Sequence, residues 1–123
     1  MKITLVVAMA RNRGLKAWYQ EVEIPPQWSN HQNTLLLTRH INVVVEGKLG
    51  QWVVDISGER AAVSRKVKRI SDAAALAQYY NNLGADALVS NQLAEAYAYI
   101  TKALSIDPGL AYLWSNLAVV FNR

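Results

Sequence analysis

The chain has 123 residues, 52% hydrophobic and 18% charged, with a net charge of +4. That balance excludes a disordered polyelectrolyte and describes one globular domain, or two small pieces sharing a core. The mild positive charge aids solubility and does not by itself argue for nucleic acid. Cysteine is absent, so these residues hold no disulfide, thiolate metal site or thiol nucleophile. Two histidines, His31 and His40, with no carboxylate cluster around them in the sequence, imply no metal. No cofactor is implied.

Met1-Lys2 and the apolar run Ile3 to Ala10 are followed at once by Arg11-Asn12-Arg13. The run sits at the lower length limit for a signal peptide, so the expectation is a buried helix and, slightly favoured, a cytoplasmic chain. Ile3, Val6, Val7 and Ala10 recur at i, i+3, i+4 and i+7, which predicts a helix over 3–13 closed by Gly14. No run approaches the length needed to span a membrane, and no membrane partner is expected.

Leu15 to Ile24 sets Ala17, Tyr19 and Glu21 against Trp18, Gln20 and Val22, the alternation of a strand, and Pro25-Pro26 stops it. Gln27 to Thr34, polar and containing Trp28, reads as a surface loop with His31 in solvent.

Leu35–Glu46 and Gln51–Ile56 flank Gly47-Lys48-Leu49-Gly50, predicting a hairpin with a four-residue loop. If Glu46 pairs with Gln51, then Val45 faces Trp52, Val43 faces Val54 and Ile41 faces Ile56, giving one wholly apolar face. The other face then carries Thr38, His40, Asn42, Val44, Val53 and Asp55. Asn42 lies opposite Asp55, and His40 is the diagonal neighbour of Asp55, within reach of a side-chain contact. This polar face is expected to be open to solvent.

From Ser57 to Arg69 the chain reads as a loop with Arg60, Arg65, Lys66, Lys68 and Arg69, a solvated basic face without interleaved aromatics; no nucleic-acid partner is expected. Ser71-Asp72 supplies a helix N-cap, and the remainder is helical apart from breaks near Asn91 and at Asp107-Pro108-Gly109. Within it Tyr80 recurs as Trp114, Leu83 as Leu117, Gly84 as Ala118 and Ala87 as Phe121, a period of 34 residues. Between the copies lie Ala96, Ile100, Ala103 and Pro108. This spacing resembles the tetratricopeptide pattern W-x2-L-G-x2-Y…A-x3-F…P over 77–110, with the first helix of a second repeat from Ala111. Tyr80, Ala87 and Ile100 depart from the pattern but stay apolar. Such repeats bind protein segments. The exposed face of the last helix, with Leu113, Leu117 and Val120 available to it, is expected to be covered by a second copy or another protein.

Val7-Ala8-Met9-Ala10-Arg11 through Gly14-Leu15, Tyr19-Gln20-Glu21-Val22, Thr38-Arg39-His40-Ile41-Asn42-Val43 and Trp52-Val53-Val54-Asp55 together resemble the transglutaminase-like (papain-like) superfamily. The resemblance covers residues 3 to about 57. It implies a cysteine nucleophile at the N-terminus of a buried helix, where the helix end favours the thiolate. It also implies His40 in the base position and Asp55 in the orienting position. The family register puts the cysteine just before Met1, and Thr4 is offset from that place.

The expected fold is therefore α+β. A helix and a small antiparallel sheet (a partial transglutaminase-like core, 1–57) are followed by a basic linker (58–70) and an α-helical tetratricopeptide hairpin (71–123). Three functions fit: a degenerate transglutaminase-like protein acting through protein binding, a fragment of an active cysteine peptidase or transamidase, and a stand-alone interaction module. The first is favoured for the chain as it stands, and the end at Arg123, one helix into a repeat, fits a cut array.

Overall fold

The computed structural model describes residues 2–22, 29–31, 34–36, 40–55 and 67–123. Their elements run in the order α1 (Lys2–Asn12), β1 (Lys16–Val22), β2 (Ser29–His31), β3 (Thr34–Leu36), β4 (His40–Gly47), β5 (Gly50–Val54), β6 (Val67–Ile70), α2 (Asp72–Val89), α3 (Leu93–Ile106) and α4 (Ala111–Phe121). The fold class is α+β, as expected. Two units divide it: Met1–Ile24 with His40–Ala75, and Pro25–Arg39 with Leu76–Arg123.

The first unit is an antiparallel sheet of order β5-β4-β1-β6 with α1 on one face. Helix α1 ends in a Schellman turn: Leu15 N–H donates to Ala10 O, Gly14 N–H to Arg11 O, and Gly14 sits at φ +78. A left-handed residue is needed there, and glycine adopts it without a Cβ clash. The predicted stripe then packs as expected, Val7 and Ala10 buried with Ile3 and Val6 beside them, against Ala17, Tyr19, Ile41, Val43 and Val45. Those five are all odd-numbered residues of β1 and β4, so their even-numbered neighbours point to the opposite face.

The β4–β5 register is the predicted one, Glu46↔Gln51, Val45↔Trp52 and Val43↔Val54; the Ile41–Ile56 pair lies outside the described residues. The loop is shorter than expected. Gly47 pairs with Gly50, leaving a Lys48-Leu49 turn, because Gly50 at φ +138 turns the chain within the ladder. The predicted strand 35–46 is broken as well. Leu35 and Leu36 belong to β3, which pairs with β2 in a separate two-stranded ribbon, Ser29↔Leu36 and His31↔Thr34. The stretch read as a loop thus contains β2; its polar composition hid a strand whose ladder is backbone hydrogen bonding. Pro25-Pro26, Trp28, Thr38 and Arg39 lie outside the described residues, as does the side chain of His31.

Val67–Ile70, expected in the basic linker, forms β6 on β1, with Val22↔Val67 and Tyr19↔Ile70. Lys68 and Arg69 stand side by side between Val67 and Ile70, charges on an edge strand that discourage further pairing. Arg60, Arg65 and Lys66 lie outside the described residues. At the start of α2, Ser71 Oγ accepts from Ala74 N–H at 3.0 Å, the predicted N-cap. Arg11 closes this corner. It donates to Ala17 O at 2.8 Å and grips Asp72 with two nitrogens, at 2.7 and 3.1 Å.

In the second unit the break after α2 is a second Schellman turn, with Gln92 N–H on Ala87 O, Asn91 N–H on Leu88 O, and Asn91 at φ 57. Asparagine tolerates this conformation better than most residues. Ala96, Ile100 and Ala103 on α3 are fully buried. A Cβ at Gly84 would lie 2.6 Å from Ile100 Cγ1 and 3.4 Å from Ala96 O, so glycine sets how closely α2 and α3 approach. Asn116 Nδ2 donates to Asn81 Oδ1 at 2.7 Å, tying α4 to α2 through a buried amide pair.

One expectation fails here. Leu113 and Val120 are buried, and Leu117 packs on the same cluster; they form the inner face of α4. Its exposed apolar residues are instead Trp114 (54%) and Phe121 (70%), one of whose rings meets Tyr97 edge-on at 5.9 Å. Residues 113, 117 and 120 lie at helical spacing on one stripe, so a single contact buries Leu113 and Val120 and partly covers Leu117.

Gly84→Ala gains about 1 kcal/mol in helix propensity but forces an overlap costing about 1–3 kcal/mol. A lowered urea midpoint is the expected result, and the effect should change sign in an Ile100→Ala background, where the space exists. A second test concerns pH. Hydrogen bonding to Arg11 lowers the Asp72 pKa, and the same bond raises that of Arg11. Because Asp72 is depressed in the folded state, the pair stabilises at neutral pH and its contribution is lost as pH falls through the acid range below about 4. Both side chains are largely exposed, so Asp72→Asn should cost no more than about 1 kcal/mol at pH 7 and nothing near pH 2.

Candidate functional site

The antiparallel register puts Asp55, the residue after β5, one step beyond the Val43↔Val54 pair and therefore across from Asn42. On the next strand Asn42 pairs with Gln20, and Gln20 in turn with Arg69. One level of the sheet thus carries a polar row, Asp55, Asn42, Gln20 and Arg69, on the face turned away from α1. His40, first residue of β4, sits one pleat away on the same face, beside Val22.

His40 Nε2 lies 2.6 Å from Asp55 Oδ2. An ionised carboxylate only accepts, so Nε2 carries the hydrogen and donates it. In the neutral imidazole Nδ1 is then the ring nitrogen with the lone pair, able to take a proton from a nucleophile while the carboxylate holds the ring. The sequence-derived pairing of these two residues is therefore met by contact.

The expected exposure of that face is not. The His40 side chain is 8% accessible and that of Asp55 21%. Asn42, Val44, Gln20 and Val22 are all buried too. The hairpin does not stand alone: β4 is a central strand of a four-stranded sheet, between β5 and β1, so burial on this face falls on β4 and β1, while Val53 and Val67 on the flanking strands stay exposed. At this depth a lost partner matters. An imidazole or carboxylate left unpaired costs about 1–3 kcal/mol or more, against a fraction of that at a surface.

Asn42 is the residue that sequence reading underrated. It is 2% exposed, its Nδ2 stands 3.5 Å from the same Asp55 oxygen that receives His40, and its buried Oδ1 has no donor among the described residues. Gln20 and Arg69 were missed because their place in the row depends on pairing between β1 and the distant β4 and β6. At the far end of the row Arg69 lies over the Trp18 ring, 4.6 Å from its centroid, which makes it a stacked cation rather than part of a freely solvated run.

Helix α1 comes to the sheet at the hairpin end, where Lys16 pairs with Glu46, and its body covers Tyr19, Val43 and Ile41. Its first turn therefore points toward the end where β4 begins with His40. The dyad itself occupies the opposite face. Among the described residues no three His, Cys, Asp or Glu side chains are grouped as metal ligands, and no helix is long and apolar enough to cross a membrane.

Compared with known proteins, the chain matches no family model, no curated protein and no solved structure.

Proposed function

We propose that residues 1–57 are the histidine–carboxylate part of a transglutaminase-like acyl-transfer core, joined to a tetratricopeptide-type hairpin through which the chain binds other proteins. The observation carrying this reading is the 2.6 Å contact of His40 Nε2 with Asp55 Oδ2 on a buried sheet face. It is the arrangement by which an acid orients a histidine as general base. The helical part is supported by the 34-residue recurrence in the sequence and by the close approach of α2 and α3 at Gly84. With no cysteine, the 123 residues have no thiol chemistry of their own. A second reading, a core whose cysteine is supplied immediately before α1, is favoured by the direction of that helix toward the His40 end of the sheet.

The two readings separate in one experiment. The chain as it stands should incorporate no amine into a glutamine-containing protein substrate. With a cysteine inserted immediately before Met1, alkylation by iodoacetamide near pH 6 should be faster than in the same variant carrying His40→Ala, by about tenfold or more. Equal rates would remove the acyl-transfer reading, and amine incorporation by the cysteine-free chain would remove the statement that it lacks such chemistry.

Binding through the helices has its own test. Trp114 and Phe121 expose large apolar area on α4, a helix without a charged residue, so self-association is the expected solution behaviour. Light scattering should show mass rising with concentration, and a Trp114→Ala, Phe121→Ala variant should remain monomeric. A concentration-independent monomer for the parent chain would exclude a second copy as the partner.

A further inference from the structure

We infer that Asn42 is a positioning residue of the dyad, its amide hydrogen bond fixing the Asp55 carboxylate so that His40 is held with Nδ1 as the free base. The inference rests on the reading of His40 and Asp55 as a proton-handling pair.

Three observations carry it. Asn42 is across from Asp55 in the strand register and on the same face as His40, so its position is set by backbone pairing rather than by a flexible loop. Its Nδ2 approaches Asp55 Oδ2, the oxygen that already takes His40 Nε2. Two donors converging on one oxygen resist rotation of the carboxylate about its Cβ–Cγ bond, and that rotation is what would release the imidazole. Finally, Oδ1 of the same amide is buried without a donor among the described residues. A packing residue at a site this deep would be better served by valine or isoleucine, which carry no polar atom to desolvate. A side chain that keeps one unsatisfied atom in order to present the other breaks a local rule, as residues at working sites do. Gln20, directly opposite on β1 and also buried, makes no hydrogen bond to that atom.

Asn42→Thr and Asn42→Val test it. The two side chains share a shape and a strong strand preference, and they differ only in a hydroxyl able to donate to Asp55. The readout is the nitrogen-15-coupled Nε2–H proton of His40, which a bond to a buried carboxylate shifts downfield and protects from exchange. The parent chain should show this resonance and Asp55→Ala should lose it. Its absence from the parent chain would sink the dyad reading itself, separately from the role of Asn42. With the resonance established, Asn42→Thr should keep it, and Asn42→Val should lose it while retaining a folded spectrum. Like behaviour of the two variants, whether both keep the resonance, both lose it or both unfold, would overturn the inference, because shape or packing would then account for the residue.

Discussion

The antiparallel pairing of β1 with β4, from Lys16↔Glu46 to Val22↔His40, is the constraint on which the first unit depends. Side chains alternate with a period of two, so this single register decides which residues meet α1 and which form the polar row. A slip of one residue would turn Val43 out of the core and carry His40 and Asn42 into the apolar layer beneath Val7 and Ala10. Register is strongly specified when both consequences are unfavourable, and here burial of Tyr19 and Val43 on one face and of Asn42 and Gln20 on the other makes them so.

The same register explains how a sheet this small supports a buried ionisable pair. Desolvating a carboxylate and an imidazole is costly unless each finds its partner with good geometry. The ladder delivers that geometry at little entropic expense, since β4 and β5 are joined by a two-residue turn and both side chains stand on strands or directly beyond one. The carboxamides of Asn42 and Gln20 continue the polar row inward, where a charge would be harder to accommodate than a neutral amide. The Arg11–Asp72 pair, by contrast, is exposed; its value lies in joining the ends of α1 and α2 to the start of β1 rather than in its strength.

In the helical unit, packing is governed by size more than by polarity. Gly84 allows Ile100 to approach its backbone, while alanines at 77, 85, 87, 96 and 103 fill the remaining contact. Polarity enters through the buried Asn81–Asn116 bond. It penalises other alignments of α4 on α2, because a shift would leave two amides unsatisfied.

Much of this was legible in the residues themselves. Glycine and asparagine at 14 and 91, the serine at 71 and the apolar stripe from Ile3 to Ala10 act within a turn or two of chain, so local chemistry alone marked the helix ends. The β4–β5 register followed from matching valines with Trp52, and with it the meeting of His40 and Asp55, because a hairpin is a local structure too. What the tertiary structure decided was everything that depends on distant pairing. It broke the run 35–46 between two sheets, recruited Val67–Ile70 as β6, turned Leu113, Leu117 and Val120 inward, and buried a face that looked open when the hairpin was considered alone. Burial is a property of what packs against a residue, and neither the partner strands of β1 nor the second face of the sheet is encoded near His40 in the chain.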